Sequence, residues 1–571
     1  MMSLSLFFLF SLPFIGGLSL FFVGRQDNLR KNLSLVIFLL SLCSSVYLLF
    51  RPEASWSRYI FNGYTLTLGL GKLSRLILFS ANLISALICL YSKDYISVKR
   101  GYYSWFLWLL ALSNLQILAT DFILFVLSWV GSIFILYALL NPGSRSSARK
   151  AATILGFSCL CFMIGAYIYC RFSGSTSMSA GMSMVLNRPI CWLAFSLMLI
   201  GALAKTDAWP FHTWVPAASE SAPVTVMAIL PASLDKLIGV YLLSRICLDL
   251  FILNGFVVAI LLIIGSLTII IAAMLALTQH DLRKMLSYYT ISQAGYMVLG
   301  IATANAVGIV GAIFHMFNNA IYQNGLFLVG GAVEKEKGSW DLGKLGGLAR
   351  YMPLTFVSGL VFALSISGVP PFNGFASKWM IYQGVFLGLT SSGHFWLRFV
   401  YLFALVAAMF GSTFTLASFL KFIHAIFLGQ DNHPEKKPSG ETYRGMLIPL
   451  LILSGLCIIL GVFSNYFIKN LLAPSFSFVL DYGGRWNSLF VALFFAGALI
   501  LGFILWRLTS GARKVREDGF FIGGESVSGR PVFPATEFYK TIEEIPLFRA
   551  AYNFVKSKEW DLRRIIKRKK E

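Results

Sequence analysis

Gly201-Ala-Leu-Ala-Lys205-Thr-Asp207-Ala-Trp-Pro210-Phe-His212-Thr-Trp is the stretch that decides the fold of this chain. It closes an apolar run, Cys191–Leu203, and then sets a lysine, an aspartate and a proline within six residues. A proline inside a helix removes one hydrogen bond and clashes with the preceding turn, so a helix break is predicted at or near Pro210. A charge at membrane depth costs roughly 3 kcal/mol or more unless it is paired or wetted. A broken helix that carries a lysine is a way to build an ion site at the bilayer midplane. The plainer alternative is a lysine snorkelling from a helix end.

The whole chain supports a membrane setting. It has 571 residues, 57% hydrophobic and 13% charged, with 51 phenylalanines. The mean hydropathy is +0.74. These values exclude a soluble globular domain and imply many helical spans. The net charge of +22 would suggest nucleic acid in a soluble protein. Here the cations sit in short loops and in the tail, as the positive-inside rule requires, and nothing resembles an RNA- or DNA-binding module. Cys43, Cys89, Cys159, Cys161, Cys170, Cys191, Cys247 and Cys457 lie in or beside apolar spans without a Cys-x-x-Cys pair. They read as small buried hydrophobes rather than zinc or iron–sulfur ligands. Leu4–Val23 lacks a basic leader and a cleavage site, and reads as a first span.

Working outward, runs long enough to cross a bilayer fall at 3–23, 33–50, 72–92, 103–119, 121–140, 151–170, 189–215, 223–246, 252–277, 284–302, 305–333, 353–390, 397–427, 446–468 and 487–506. That is about 15 spans, two of which, 189–215 and 353–390, are long enough to be broken helices. Loops after odd spans carry the cations, for example Arg145, Arg149 and Lys150, or Lys335, Lys337, Lys344 and Arg350. This predicts an N-terminus outside and a C-terminus in the cytoplasm. The second break reads Ser367-Gly-Val-Pro370-Pro371-Phe-Asn-Gly374-Phe-Ala-Ser-Lys378. Like the first, it pairs a chain break with one lysine. The two lie five spans apart, and an odd offset inverts the second unit, as in inverted-repeat transporters. Residues 508–535 read as a loop. Residues 536–568 carry Phe538, Ile542, Ile545, Phe548, Tyr552, Val555, Leu562 and Ile566 among charges, and end in Arg563-Arg564-Ile-Ile-Lys-Arg-Lys-Lys570. The pattern predicts a helix lying on the cytoplasmic membrane face, with a disordered basic tail as the alternative.

Ion movement needs titratable groups along a wetted path. The candidates are Lys205 and Asp207 in the first break, Asp235 and Lys236 in mid-span, His315 in Ala312-Ile-Phe-His-Met-Phe-Asn-Asn, and Lys378 in the second break; His212 lies just beyond the first. Asp235 and Lys236 could form a static pair, but adjacent residues on a helix point about 100° apart, which favours separate partners. His315 alone could equally be a hydrogen-bonded core histidine. Glu220 reads as a loop residue or cap, and Asp281, Arg283 and Lys284 as orientation and capping charges. His394 and His424 read as incidental.

Gln279-His-Asp-Leu-Arg-Lys-Met-Leu-Ser-Tyr-Tyr-Thr-Ile-Ser-Gln293-Ala-Gly-Tyr296-Met resembles the signature of the antiporter-like membrane subunits of respiratory complex I. Lys205 with Trp-Pro-Phe-His-Thr-Trp-Val-Pro, Ala-Ile-Phe-His315 and Gly368-Val-Pro-Pro-Phe-Asn-Gly-Phe-Ala-Ser-Lys378 match in the same order, over roughly residues 65–430. The same superfamily holds multisubunit cation/proton antiporters, energy-converting membrane-bound [NiFe] hydrogenases and the membrane partners of bicarbonate uptake. Pro231-Ala-Ser-Leu-Asp-Lys-Leu-Ile-Gly and Thr536-Glu-Phe-Tyr-Lys-Thr-Ile-Glu-Glu-Ile-Pro look most like the hydrogenase subunits, and the tail is also similar to the lateral helix of the distal complex I subunit.

The resemblance implies an all-α polytopic membrane protein with two inverted five-helix repeats, each with a broken helix, and a C-terminal amphipathic surface helix. The implied divisions are 1–100, N-terminal helices; 101–250 and 251–430, the two repeats; 431–507, C-terminal helices; and 508–571, loop and lateral helix. Lys205 would be the lysine of the input half, Lys236 the central connector, His315 part of the hydrated axis and Lys378 the terminal lysine. The implied activity is proton or sodium translocation within a complex I-like or hydrogenase-like complex of the cell (inner) membrane. Partners would be other membrane subunits and a cytoplasmic redox arm. Iron–sulfur, nickel or flavin would reside in those partners and no cofactor in this chain, a non-redox part of an oxidoreductase. A redox-independent cation/proton antiporter, and a platform for a cytoplasmic CO2- or bicarbonate-handling protein, are the alternatives. The sequence departs from the family pattern at Val130, where a glutamate usually follows the tryptophan, at Pro231, where a connecting histidine or lysine is usual, and at Asn319 and Gln323, where a second histidine and a lysine are usual. Asp207 or Asp121 is the expected substitute for the missing glutamate.

Overall fold

In hydrocarbon every backbone polar group must be satisfied within the chain, so the apolar runs fold as helices. The computed structural model describes residues 2–23, 26–61, 64–96, 101–178, 183–430, 440–476 and 487–508, with a few isolated positions beyond. The lateral helix expected at 536–568 lies outside the described residues.

The helices are α1 Met2–Phe22, α2 Asp27–Leu49, α3 Lys72–Tyr95, α4 Tyr102–Leu118, α5 Phe122–Leu140, α6 Arg145–Ser173, α7 Pro189–Lys205, α8 Trp214–Ser219, α9 Val224–Ile229 and α10 Asp235–Arg245. They continue as α11 Gly255–Leu277, α12 Leu282–Ala302, α13 Ala306–Lys337, α14 Pro353–Ser367, α15 Asn373–Ser391, α16 Phe395–Ile423, α17 Arg444–Val462, α18 Ser464–Phe467 and α19 Ser488–Leu508. Among the described residues nine helical segments are long and apolar enough to cross a membrane. Burial sorts them. The segment Val224–Leu250 is wholly enclosed, whereas α19 is almost wholly exposed and α16 turns Phe399, Val406, Met409 and Phe410 outward. The wholly enclosed segment carries buried Asp235 and Lys236, which need partners or water that lipid cannot supply.

Among the described residues three interrupted helices bear on the candidate sites. The first stops at Lys205, five residues before Pro210, because Asp207 adopts a left-handed backbone (φ 59°) that ends the helical ladder. Aspartate tolerates that region better than most residues. The chain then passes through a short 3-10 turn, Phe211–Thr213, into α8. The second interruption, 368–372, separates α14 from α15. The third was not expected, since 223–246 read as one regular span. Leu230–Leu234 is a π turn between α9 and α10. Pro231 has no N–H to donate, the ladder loosens, and Ser233 Oγ donates to the carbonyls of Ala228 (3.0 Å) and Ile229 (2.8 Å).

A β-hairpin also escaped the reading. Strand β1, Ala54–Phe61, pairs antiparallel with β2, Tyr64–Leu70, from Ala54 opposite Leu70 to Phe61 opposite Tyr64. The alternation Leu66-Thr67-Leu68 was its signal. Asp121 ties the hairpin to the bundle. One carboxylate oxygen caps α5 at Leu124 N (2.8 Å), and the other accepts from Thr67 N (2.9 Å). Asp121→Ala removes both acceptors and is expected to cost about 1–2 kcal/mol. Asp121→Asn should cost less. Thermal melting of the detergent-solubilised protein measures this, and an unshifted midpoint for the alanine variant would exclude the tie.

Candidate functional site

Two helix interruptions meet at the first site. Lys205 Nζ donates to Asp235 Oδ1 at 2.6 Å, and Lys236 Nζ donates to Asp207 Oδ2 at 2.6 Å. All four side chains are buried. The pairs cross: adjacent residues of α10 each find a partner in the break after α7, two residues apart. Asp207 lies within electrostatic reach of Asp235 and Lys205 as well as Lys236. The quartet is neutral, which offsets the cost of burying each charge.

A glycine makes the approach possible. A Cβ on Gly239 would lie 2.6 Å from the Lys205 carbonyl carbon and 2.7 Å from Thr206 N, so any larger residue would push α10 off the break. On the other side Lys205 Nζ lies 5.8 Å from the centroid of the buried Trp129 ring. Val130, where the family has its glutamate, points outward. Lys205 pairs with neither expected substitute: Asp207 pairs with Lys236, and Asp235, which Gly239 lets approach the break, pairs with Lys205. Asp121 is occupied at the hairpin.

The second site is built on α12, α13, α15 and α16. His315 Nδ1 bonds Ser377 Oγ at 2.9 Å, and its Nε2 faces Gln293 Oε1 at 3.1 Å and the Tyr322 hydroxyl at 3.3 Å. Next to Ser377, Lys378 Nζ donates to the Ile366 carbonyl (2.8 Å) and to Ser412 Oγ (3.2 Å), and lies 4.6 Å from the Tyr296 ring centroid. The Ile366 carbonyl is one of those left free where α14 ends. Gly374 permits this fold-back, since a Cβ there would collide with the Ser365 carbonyl oxygen. Among the described residues no carboxylate pairs with Lys378.

Between the sites runs a seam of buried amides and hydroxyls. Asn319 Nδ2 donates to the Ala232 carbonyl in the π turn (3.4 Å), and Gln323 Nε2 donates to Thr290 Oγ1 (2.8 Å) and the Leu286 carbonyl (2.9 Å). Asn319 Oδ1, Gln323 Oε1, Ser287 Oγ and Gln293 Nε2 are buried with no protein partner, as are Asp207 Oδ1 and Asp235 Oδ2. Buried polar atoms of this kind are satisfied by internal water.

The sequence therefore marked six residues that the structure gathers into two sites: Lys205, Asp207, Asp235 and Lys236 at one, His315 and Lys378 at the other. His212 is buried in the turn beyond the first break. Glu220 ends α8 and pairs with Lys284 (2.8 Å) rather than capping α9; Asp281 caps α12. His394 is exposed. Ser377, Ser412, Tyr322, Tyr296 and Tyr382 were missed, because a hydroxyl in an apolar helix carries no sign of which lysine or histidine it will meet.

The fold and these sites define a multi-pass helical membrane protein organised around two interrupted helices with buried lysines. The chain belongs to the family described as NADH:quinone oxidoreductase/Mrp antiporter, transmembrane, which matches residues 119–405. It is 31% identical over 416 residues to Na(+)/H(+) antiporter subunit A1 of Staphylococcus epidermidis, covering 68% of this chain and 51% of that protein. It is 32% identical over 435 residues to the protein of the same name from Staphylococcus aureus, covering 72% and 53%. The chain thus spans about half the length of the curated relatives it matches. Among solved structures, a chain of the membrane-bound sulfane sulfur reductase, an archaeal respiratory membrane complex, superposes with a TM-score of 0.82 at 24% identity, covering 96% of this chain and 94% of that one. A chain of the Mrp complex from Dietzia sp. DQ12-45-1b gives 0.73 at 21%, covering 82% and 96%. A chain of respiratory complex I from Thermus thermophilus gives 0.70 at 20%, covering 82% and 98%.

If the crossed pairs act as one neutral unit, removing a single charge strands its partner. Lys236→Met alone is expected to destabilise the protein by about 3–5 kcal/mol. Adding Asp207→Leu should recover much of that loss in the thermal melt. Additive losses in the double variant would rule out the pairing.

Proposed function

We propose that this chain is an ion-translocating subunit of a multisubunit membrane complex, moving protons or sodium ions through its buried lysines. The observation that carries the reading is the crossed Lys205–Asp235 and Lys236–Asp207 quartet, joined by a polar seam to His315 and Lys378. A charge arriving beside Lys205 competes for Asp235. When that pair opens, the Lys205 ammonium is left buried without its counter-charge, which costs several kcal/mol. Release of its proton along the seam toward His315 leaves a neutral amine and removes that cost. Water-filled gaps at the unpartnered amides complete the path.

The two breaks belong to two inverted repeats, at 101–250 and 251–430. The loop cations orient the N-terminus outside and the C-terminus toward the cytoplasm, in the cell membrane. Neighbouring membrane subunits and a cytoplasmic redox arm supply the driving signal, and any iron, nickel or flavin sits there. The hydrogenase-like Pro231–Gly239 motif supports redox coupling. The second reading is a cation/proton antiporter that works without a redox arm. It is favoured by the identity to antiporter subunit A1.

Vesicles containing the intact complex test the assignment. Lys205→Ala or Lys378→Ala should abolish ion uptake while electron transfer by any soluble arm continues. Unchanged uptake in both variants would defeat it. Iron, nickel or flavin in the purified complex supports redox coupling; their absence, with sodium-for-proton exchange retained, supports the antiporter.

A further inference from the structure

Helix α17, Arg444–Val462, lies beyond residues 119–405, the stretch that the family matches. It packs beside α14, the helix that leads into the second break, and the start of α14 depends on it. The Met352 side chain, which precedes α14, bonds none of the free N–H groups of the first turn. Pro353 has no N–H to satisfy, and Phe356 N donates to the Met352 carbonyl (2.8 Å). The two N–H groups between them are satisfied from a distant part of the chain. Leu354 N (2.7 Å) and Thr355 N (3.3 Å) donate to one carboxylate oxygen of Glu441, and the Thr355 hydroxyl donates to the other (2.5 Å). Glu441 stands just before α17, so one segment caps α14 and opens its neighbour.

The start of α17 is itself fastened. Gly445 N donates to Asp94 Oδ2 (3.0 Å) in the last turn of α3, and the Lys335 ammonium of α13 lies over the Tyr443 ring (4.3 Å to the centroid). Further along, the buried Cys457 thiol lies against the side chains of Ser365, near the end of α14, and Asn373, the first residue of α15. One turn later Gly461 touches the break. A Cβ there would lie 2.1 Å from the Pro371 carbonyl oxygen and 2.7 Å from Asn373 N. Both are backbone atoms, so no side chain can swing aside. From Gly445 to Cys457 the helix rises about 18 Å, and α14 rises the same from Leu354 to Ile366. The two helices thus run side by side from one membrane face to the break. The Ile366 carbonyl, which accepts from Lys378 Nζ (2.8 Å), is held between them at the far end.

We propose that α17 is a splint for the second break, and that Glu441 and Gly461 are positioning residues for Lys378. The proposal rests on the ion-translocating reading. Neither residue needs to touch an ion. Glu441 holds the start of α14, Gly461 lets α17 close on Pro371 and Asn373, and the helix between them fixes one end relative to the other. Charge pairs set the first break. The second has no such pair, and a helix from outside the matched stretch sets it instead.

The test reads ion uptake per assembled complex in vesicles, beside the thermal melt. Gly461→Ala forces the break to retreat by roughly 1 Å to relieve the contact. Uptake should fall roughly tenfold or more, because small displacements of a reacting group are costly. Glu441→Ala leaves the start of α14 uncapped and should lower uptake in the same direction. Glu441→Gln should keep it near normal, since an amide oxygen still accepts from both N–H groups and the amide nitrogen can still meet Thr355 Oγ1. A helix that merely stabilises the bundle predicts a lower melting midpoint and less assembled complex in the alanine variants, with uptake per complex unchanged. That result overturns the proposal. Equal losses in Glu441→Gln and Glu441→Ala also overturn it, since charge rather than capping would then matter. If Gly461→Ala fails to assemble, the Glu441 pair decides by the same criteria. Lys378→Ala keeps the two levels apart. Uptake lost there but normal in Gly461→Ala and Glu441→Ala removes only the splint, and normal uptake in both Lys378→Ala and Lys205→Ala removes the translocation reading.

Discussion

Two lysines and two aspartates, each within 2.6 Å of its partner and all out of contact with solvent, are the constraint to which the rest of this structure answers. Such charges are tolerated in a protein interior only as a balanced set. The geometry of the set explains both interruptions beside it. On a continuous helix residues 205 and 207 would point about 200° apart, and only one could face α10. Ending the helix at Lys205 and turning Asp207 into the left-handed region brings both side chains to the same side. On the other partner Asp235 and Lys236 diverge by about 100°, which suits two acceptors spaced along a break and would not suit two stacked on one helix face. The π turn at Leu230–Leu234 sets the rotation of α10, and Gly239 sets its distance.

The second lysine is stabilised differently. Lys378 has a helix-end carbonyl, a serine and a tyrosine ring where Lys205 has a carboxylate. Fixed dipoles hold a cation without creating a pair that must be broken before it can move. The first site therefore holds its lysine in an ion pair, and the second holds its lysine on neutral groups alone. Both breaks carry a lysine, yet the two lysines differ in what surrounds them, so the sites are not equivalent.

Much of this was legible from residues alone. Proline and lysine together announced both breaks, and the 100° divergence of Asp235 and Lys236 pointed to separate partners. The identity of those partners was not legible, because it depends on how closely α10 approaches the α7 break. Gly239 permits that approach, and its role is invisible without the neighbour it would clash with. Val130 shows the converse: the acid was expected from Asp207 or Asp121, and the structure pairs Lys205 with Asp235 of another helix instead. Pro231 read as a missing connector, whereas it shapes the π turn that aims Asp235 and Lys236. The hairpin at 54–70 was overlooked because the hydropathy that announces spans also masks a short alternation.

Asn319 and Gln323 bear on how the two sites communicate. Both stand where the family usually has ionisable groups, and both remain buried and polar. An amide donates and accepts hydrogen bonds but stores no charge near neutral pH. Between the quartet and His315 the seam then offers hydrogen-bond donors and acceptors but no group that holds a charge. Asn319 touches the π turn at Ala232 and lies one helical turn, about 6 Å, from His315, so the sites are close in electrostatic terms. Amides in the interval therefore tie the helices around the two sites together through hydrogen bonds alone, where a histidine and a lysine would also have carried charge into the interior.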